Sequence, residues 1–278
     1  MNPADLPPEL AAQPANLIDA VRAIAQGPLA EQAYAIDRGA YPVDVMKQLA
    51  AAGAMSAHLP QADGTPGDYG LAIAAMAVAA KVCGATGFMM WCQCVAGLYM
   101  QASGNPALGG ERLACHVRGQ SLGGTGLSNP MKSFAQIEAL LLKATPVDGG
   151  YLINGTLPWV SNLAADHCFG AIAAVATDDV GASREIMFML RCDAPGVTLK
   201  ACPEFSGMEG TGTFSVHCKD LFVGSDDLVA DPAKPLIARI RGGFVLLQCG
   251  MAAGIVQGAI DSMWAVEGQL GHVNQYLE

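Results

Sequence analysis

Positive charge is scarce in this chain. Its 278 residues include 15 Lys and Arg against 25 Asp and Glu, a formal charge of −10. Binding a phosphate backbone needs clustered cations, and these are scattered, so a nucleic-acid partner is excluded as an expectation. Paired metal-ligand spacings are also missing. Cys92-Gln93-Cys94 is too tight for a CxxC knuckle and lacks a second pair, and His116, His167 and His217 belong to no HExxH. No metal is expected. GxGxxG after a strand is absent, as are alternating βαβ units, which excludes a Rossmann nucleotide site. The N-terminal stretch Met1 to Gln13 has no basic region followed by an apolar run, so no secretory signal is expected. Apolar runs such as Gly170 to Ala176 are too short for a bilayer, and the longer helical stretches contain Gln, Cys and Gly, so no membrane span is expected.

Apolar residues, at 52%, are abundant, and charged residues make up only 14%. Such a surplus commonly covers a subunit interface. The nine cysteines are odd in number and mostly dispersed, which fits reduced thiols acting as small apolar residues in a cytoplasmic protein.

Periodicity divides the chain into an α+β arrangement of three parts: 1–122 helical, 123–234 β, and 235–278 helical again. In the first, Leu17, Ile18, Val21 and Ile24 form a stripe, and Val45, Met46 and Leu49 lead into a helix that ends at Gly53. Leu71 to Cys83 and Phe88 to Ala102 read as helices with almost no charge, hence buried or facing an apolar cavity. In the second, Ile186 to Arg191, Val197 to Ala201, Thr213 to His217 and Leu221 to Val223 read as short strands of an antiparallel domain. Asp148 to Asn162 reads as a hairpin turning at Asn154-Gly155, with Trp159 and Ser161 on one face of the returning strand. In the third, Ile237 to Val266 carries an apolar face, and Gly250, Gly254 and Gly258 recur every fourth residue, as a close helix-packing seam requires.

Several segments, in order, resemble the acyl-CoA dehydrogenase family of flavoproteins. They are Ala35 to Pro42, Leu49 to Gly53 with His58-Leu59-Pro60, Gly104-Asn105-Pro106, Gly123 to Pro130 with Ser133, the hairpin with Trp159 and Ser161, and Gly207 to Thr213 followed by Lys219 to Val223. The resemblance covers nearly the whole chain. It implies a helical N-terminal domain, a middle antiparallel β domain and the first helix of a C-terminal bundle. It also implies FAD, with Leu127 and Ser128 offering mainly backbone groups, Ser133 contacting the pyrophosphate, Trp159 packing on the ring and Ser161 near N5. Met90, Trp91 and Gln93 would lie along the acyl chain. Two departures stand out: Leu127-Ser128 replaces the usual Thr-Glu, and Phe134 stands where an Asp usually follows the Ser.

The implied activity is α,β-dehydrogenation of an acyl-CoA thioester, with electrons passed to an electron-transfer flavoprotein by a homodimer or homotetramer. In the family a Glu removes the α proton. One subset places it on the first bundle helix, at the position matched here to Gly243, and the commoner site lies beyond Glu278. Glu267 has no periodic reason to face the flavin. The catalytic base is therefore unknown from the sequence, and the chain reads as ending early in the helical bundle. Two other readings stay open: a catalytically silent subunit, and a flavin oxidase or monooxygenase of the same fold.

Overall fold

Two apolar cores, one among helices and one on a sheet, lie on opposite faces of the strands at 168–175 and 185–191, with Ile172, Met187 and Met189 in the first and Phe169, Ala171, Ala173, Ile186 and Phe188 in the second. The computed structural model describes residues 16–61, 63–176, 184–274 and 276; the N-terminal stretch read above for a signal, and Gln275, Leu277 and Glu278, lie outside these.

The described residues begin with α1 (Leu17–Ile24), a π turn (Ala25–Leu29) and α2 (Ala30–Asp37), followed by α3 (Val43–Ala51), α4 (Tyr69–Val82) and α5 (Gly84–Ser103). Asp68 caps α4 by accepting the Leu71 N–H. Gly104, at φ 75°, ends α5 in the left-handed conformation that closes helices. The uncharged sequence of α5 has its expected consequence, since 89–100 are all buried. Two short helices follow, α6 (Pro106–Gly109) and α7 (Glu111–Val117).

The strands are β1 (Gly123–Thr125), β2 (Leu142–Val147), β3 (Gly150–Val160), β4 (Cys168–Val175), β5 (Glu185–Arg191), β6 (Val197–Ala201), β7 (Phe214–Gly224) and β8 (Leu228–Ala230), with α8 (Ser128–Phe134) after β1. They form one sheet in the order β6-β7-β3-β2-β4-β5-β8, with β1 added beside β4. Most pairings are antiparallel as expected, but β4 runs parallel to both β1 and β2. The apolar run at Gly170 to Ala176 is accounted for by this central strand.

Two readings of the sequence are corrected here. The β2–β3 hairpin turns at Asp148-Gly149, where Gly149 has φ 76°, and β3 runs unbroken through Asn154-Gly155. Gly155 sits at a bulge with φ 136°, and an added Cβ would lie 2.2 Å from the Leu141 carbonyl. Asn154 spends its amide across the bulge, accepting from the Asp220 N–H at 2.9 Å and donating to the Asp220 carboxylate at 3.1 Å. An Asn-Gly pair thus marks a bulge here instead of a turn, because in either setting the glycine supplies a positive φ and the asparagine amide can bond to backbone. The same bulge explains why Thr213 to His217 and Leu221 to Val223 form one strand, β7, with Asp220 at φ 49° absorbing the irregularity.

The chain closes with α9 (Lys234–Ala265) and α10 (Glu267–Asn274). The glycine seam packs on α4: a Cβ at Gly250 would meet the Ile73 carbonyl at 2.7 Å, one at Gly254 the Ala77 carbonyl at 2.4 Å, and one at Gly258 the Lys81 carbonyl at 2.4 Å. Lys81 pairs with Asp261 at the far end of this seam. Glycines therefore do not interrupt the helix. By length and composition α9 would suffice to cross a bilayer, and here it lies along α4 and α5.

Candidate functional site

A cavity of about 370 Å³ opens where α5, α8, the end of β3 and α9 converge. Its apolar wall is Phe88, Trp91, Cys92, Met131, Phe244 and Met251, and its polar groups are Thr125, Ser128, Lys132, Ser161 and Gln248. Trp159 and Leu127 complete it.

Local packing fixes most of these groups. Trp91 stacks on Phe88 at 5.6 Å, meets Phe244 edge-on at 5.1 Å, and donates its indole N–H to the Phe244 carbonyl at 3.2 Å. That bond ties α5 to α9 across the wall. Thr125 is held from below by the buried Tyr99 hydroxyl at 2.7 Å. Asn129 clamps the start of α8, accepting from the Leu141 N–H and donating to Glu138 and to the Ala139 carbonyl. The first N–H groups of α8 have no carbonyl within their own helix to bond.

Trp159 owes its position to a second bulge. Tyr151, Ile153 and Leu157 face the sheet core in period two, and the same phase would bury Trp159. The register shifts by one residue between Leu157 and Val160, so Val160 is fully buried and Trp159 is 50% exposed at the cavity, flanked by Phe205 at 5.7 Å. Strand alternation correctly puts Trp159 beside Ser161, but the bulge decides which face they occupy. Ser161 is anchored by its neighbour: Asn162 donates to the Gly123 carbonyl at 2.7 Å and accepts from the Tyr41 hydroxyl at 2.5 Å.

The sequence candidates separate as follows. Leu127, Ser128, Trp91, Trp159 and Ser161 line the cavity together. Ser133 lies in an adjoining cleft of about 890 Å³ that shares Met131, Phe244 and Gln248 with it and is rimmed by Lys143, Lys234 and Arg241. Glu185, also in this cleft, is paired with Lys234 at 2.9 Å. Met90 and Gln93 are fully buried in α5 and line neither space. Gln93 instead bridges elements, donating to the His116 and Ser121 carbonyls and accepting from the Gly123 N–H at 2.9 Å. Gly243 faces Tyr69, whose hydroxyl lies 2.4 Å from an added Cβ, so a side chain there would point away from the cavity. The α9 positions that face it are Phe244, Gln248 and Met251, and Glu267 begins α10 and does not line it. Gln248 was missed; standing as the one amide in the uncharged stretch from Gly242 to Val256 is its only signal in the sequence.

Among the described residues, no carboxylate lines the cavity. The Cys92 thiol there is pushed well above its ordinary range by burial and stays protonated at neutral pH. Six of the nine cysteines are buried, in keeping with their reading as small apolar residues, whereas Cys249 is exposed.

Comparison with known proteins agrees with the fold. Residues 13–120 match the family described as acyl-CoA dehydrogenase, N-terminal domain. The chain is 25% identical over 270 residues, 92% of its length, to the probable acyl-CoA dehydrogenase YngJ of Bacillus subtilis (strain 168), and spans 69% of that protein. Its fold superposes on butyryl-CoA dehydrogenase from Megasphaera elsdenii with a TM-score of 0.80 at 19% identity, covering 91% of this chain and 68% of the other. Dibenzothiophene monooxygenase from Paenibacillus sp. A11-2 gives a TM-score of 0.71 at 18% identity, covering 88% and 63%. Fold alone therefore does not select a reaction. Residues 13–120 thus match the acyl-CoA dehydrogenase N-terminal domain, and the chain as a whole is similar to acyl-CoA dehydrogenases in sequence order and architecture.

Proposed function

We propose that this chain binds FAD and takes part in α,β-dehydrogenation of an acyl-CoA thioester, with an electron-transfer flavoprotein as electron acceptor. The observation that carries the reading is the single cavity in which Ser128, Trp159 and Ser161 meet an apolar wall. These residues fit a flavin. Trp159 offers an exposed aromatic face, the Ser128 hydroxyl is unspent among the described residues, and the first N–H groups of α8 are available for ring carbonyls. When bound, the flavin supplies the hydride acceptor. Phe88, Trp91, Phe244 and Met251 would exclude water from an acyl chain and orient it. Ser133 and the cations of the adjoining cleft, Lys143, Lys234 and Arg241, suit phosphate groups.

Further parts of the reading are the division into units 1–122, 123–234 and 235–278, a homo-oligomeric state and a cytoplasmic location. No described residue at the cavity suits removal of the α proton, and the alternative reading is a silent subunit that pairs with a complete homologue.

The test is reconstitution of the purified chain with FAD, followed by acyl-CoA titration with an electron-accepting dye. Retained flavin, released on denaturation, is expected. Dye reduction by this chain alone excludes the silent subunit, and failure to take up any flavin overturns the flavin reading. Oxygen consumption with a substrate that is not a thioester would move the assignment to an oxidase or monooxygenase.

A further inference from the structure

Behind Ser161 runs a chain of three hydroxyls. Ser161 Oγ lies 2.6 Å from Thr213 Oγ1, which lies 2.8 Å from Thr211 Oγ1. Three hydroxyls carry three protons, and the two links between them consume two. One proton is left over, and its place is decided by what surrounds each member. Thr211 is 3% exposed and its hydroxyl has no second partner among the described residues, so a spare proton there would be buried and unbonded. Such a group costs about 1–3 kcal/mol. Among the described residues Thr213 has no third partner either, whereas Ser161 opens on the cavity. The lowest-cost arrangement has Thr211 donating to Thr213, Thr213 donating to Ser161, and Ser161 donating into the cavity.

We infer that Thr213 and Thr211 are positioning residues that fix Ser161 as a hydrogen-bond donor toward a ligand acceptor at this wall. Backbone contacts hold the relay rigid, since the Asn162 N–H donates to the Thr211 carbonyl at 2.8 Å and the Leu163 N–H to the Gly212 carbonyl at 2.9 Å. The inference rests on the flavin reading. A donor fixed beside N5 favours the oxidised ring, where N5 accepts, over the reduced ring, where N5 carries a proton. Loss of the relay therefore raises the midpoint potential.

The experiment is spectroelectrochemical titration of flavin bound to the wild-type chain and to Thr213→Val, Thr213→Ser, Thr211→Val and Ser161→Ala. Thr213→Val and Ser161→Ala are expected to shift the oxidised-to-reduced equilibrium about tenfold toward reduction, an increase of about 30 mV. Thr213→Ser restores the wild-type value. Thr211→Val, which keeps the middle link and removes only the bias, moves the potential the same way by less and provides a readout should Thr213→Val fail to fold. Flavin bound with an unchanged potential in both Thr213→Val and Thr211→Val overturns the relay while leaving the flavin reading intact. A wild-type chain that binds no flavin overturns that reading and the relay with it.

Discussion

Gln93 and Ser128 both stand out as candidate ligand contacts in the sequence, yet their hydrogen-bonding capacities differ. Gln93 sits fully buried on α5, and its amide is committed to carbonyls of His116 and Ser121, to the Gly123 N–H and, more distantly, to Asn162 at 3.4 Å. An amide has two donors and two acceptor lone pairs, so nothing is left for a ligand. Ser128 is exposed at the cavity, and its hydroxyl has no partner among the described residues. Capacity already used holds the fold together, and unused capacity at a cavity is what binding can draw on.

The largest effect expected from breaking this contrast is at Gln93. Gln93→Leu leaves the Gly123 N–H and the Ser121 carbonyl without a partner, while the His116 carbonyl keeps the Gly119 N–H, and should lower unfolding stability by about 3 kcal/mol in urea titration. A loss below about 1 kcal/mol would show that the amide is not the bridge described.

Next in size is the glycine seam. Gly254→Ala places a methyl 2.4 Å from the Ala77 carbonyl and 2.6 Å from the Ala80 methyl, and should cost about 2 kcal/mol. Gly242, on the same helix, has nothing within 4 Å of an added Cβ, so Gly242→Ala should instead stabilise by about 0.5–1 kcal/mol. Equal effects at the two sites in thermal unfolding would remove the close α4–α9 contact as the reason for the spacing.

That seam was fully legible in the sequence, because small residues at every fourth position have a direct geometric consequence on a helix. The uncharged pattern of α5 likewise announced burial, and the order of helical and β regions announced the architecture. Asn154-Gly155 misled because a bulge and a turn need the same backbone freedom, and local sequence cannot tell them apart. Trp159 and Ser161 were correctly put side by side, but the face they occupy depends on a one-residue register shift against β7, a partner 50 or so residues away. Gln93 illustrates a further limit: a helix position can be recognised as inward-facing while the group it meets there stays unknown.

The polar core around Gln93 carries a pH signature that the cavity lacks. His58 and His116 donate from Nε2 to the Cys94 and Gln93 carbonyls, and burial pushes both pKa values down to about 4. The folded state then binds fewer protons than the unfolded chain between that value and the ordinary one near 6.5. Stability is fully present above about pH 6.5 and falls as pH drops toward 4, by at most about 1.4 kcal/mol per pH unit for each histidine. Urea unfolding stability measured from pH 7 to 4.5 should fall more steeply in the wild type than in His116→Gln, where His58 and the likewise depressed His167 still contribute. An unchanged slope in that variant would exclude His116 as a contributor.

The smallest stability effects belong to the cavity wall, and there the contrast can be sharpened most. Trp159→Ala removes a side chain that is 50% exposed, so unfolding should move by less than about 1 kcal/mol. Ser128→Ala removes a hydroxyl that bonds to none of the described residues, and its unfolding should stay within about 0.5 kcal/mol of the wild type. Flavin affinity should nevertheless fall in both, about tenfold for the lost ring surface of Trp159 and about fivefold for the single hydrogen bond of Ser128. Fluorescence titration with FAD reads the affinity, and urea unfolding without FAD reads the stability. A Ser128→Ala variant that unfolds early would mean its hydroxyl serves the fold after all, and one that keeps full affinity would leave it serving neither. Lost binding on an undamaged fold is the outcome that separates this wall from the polar core behind it.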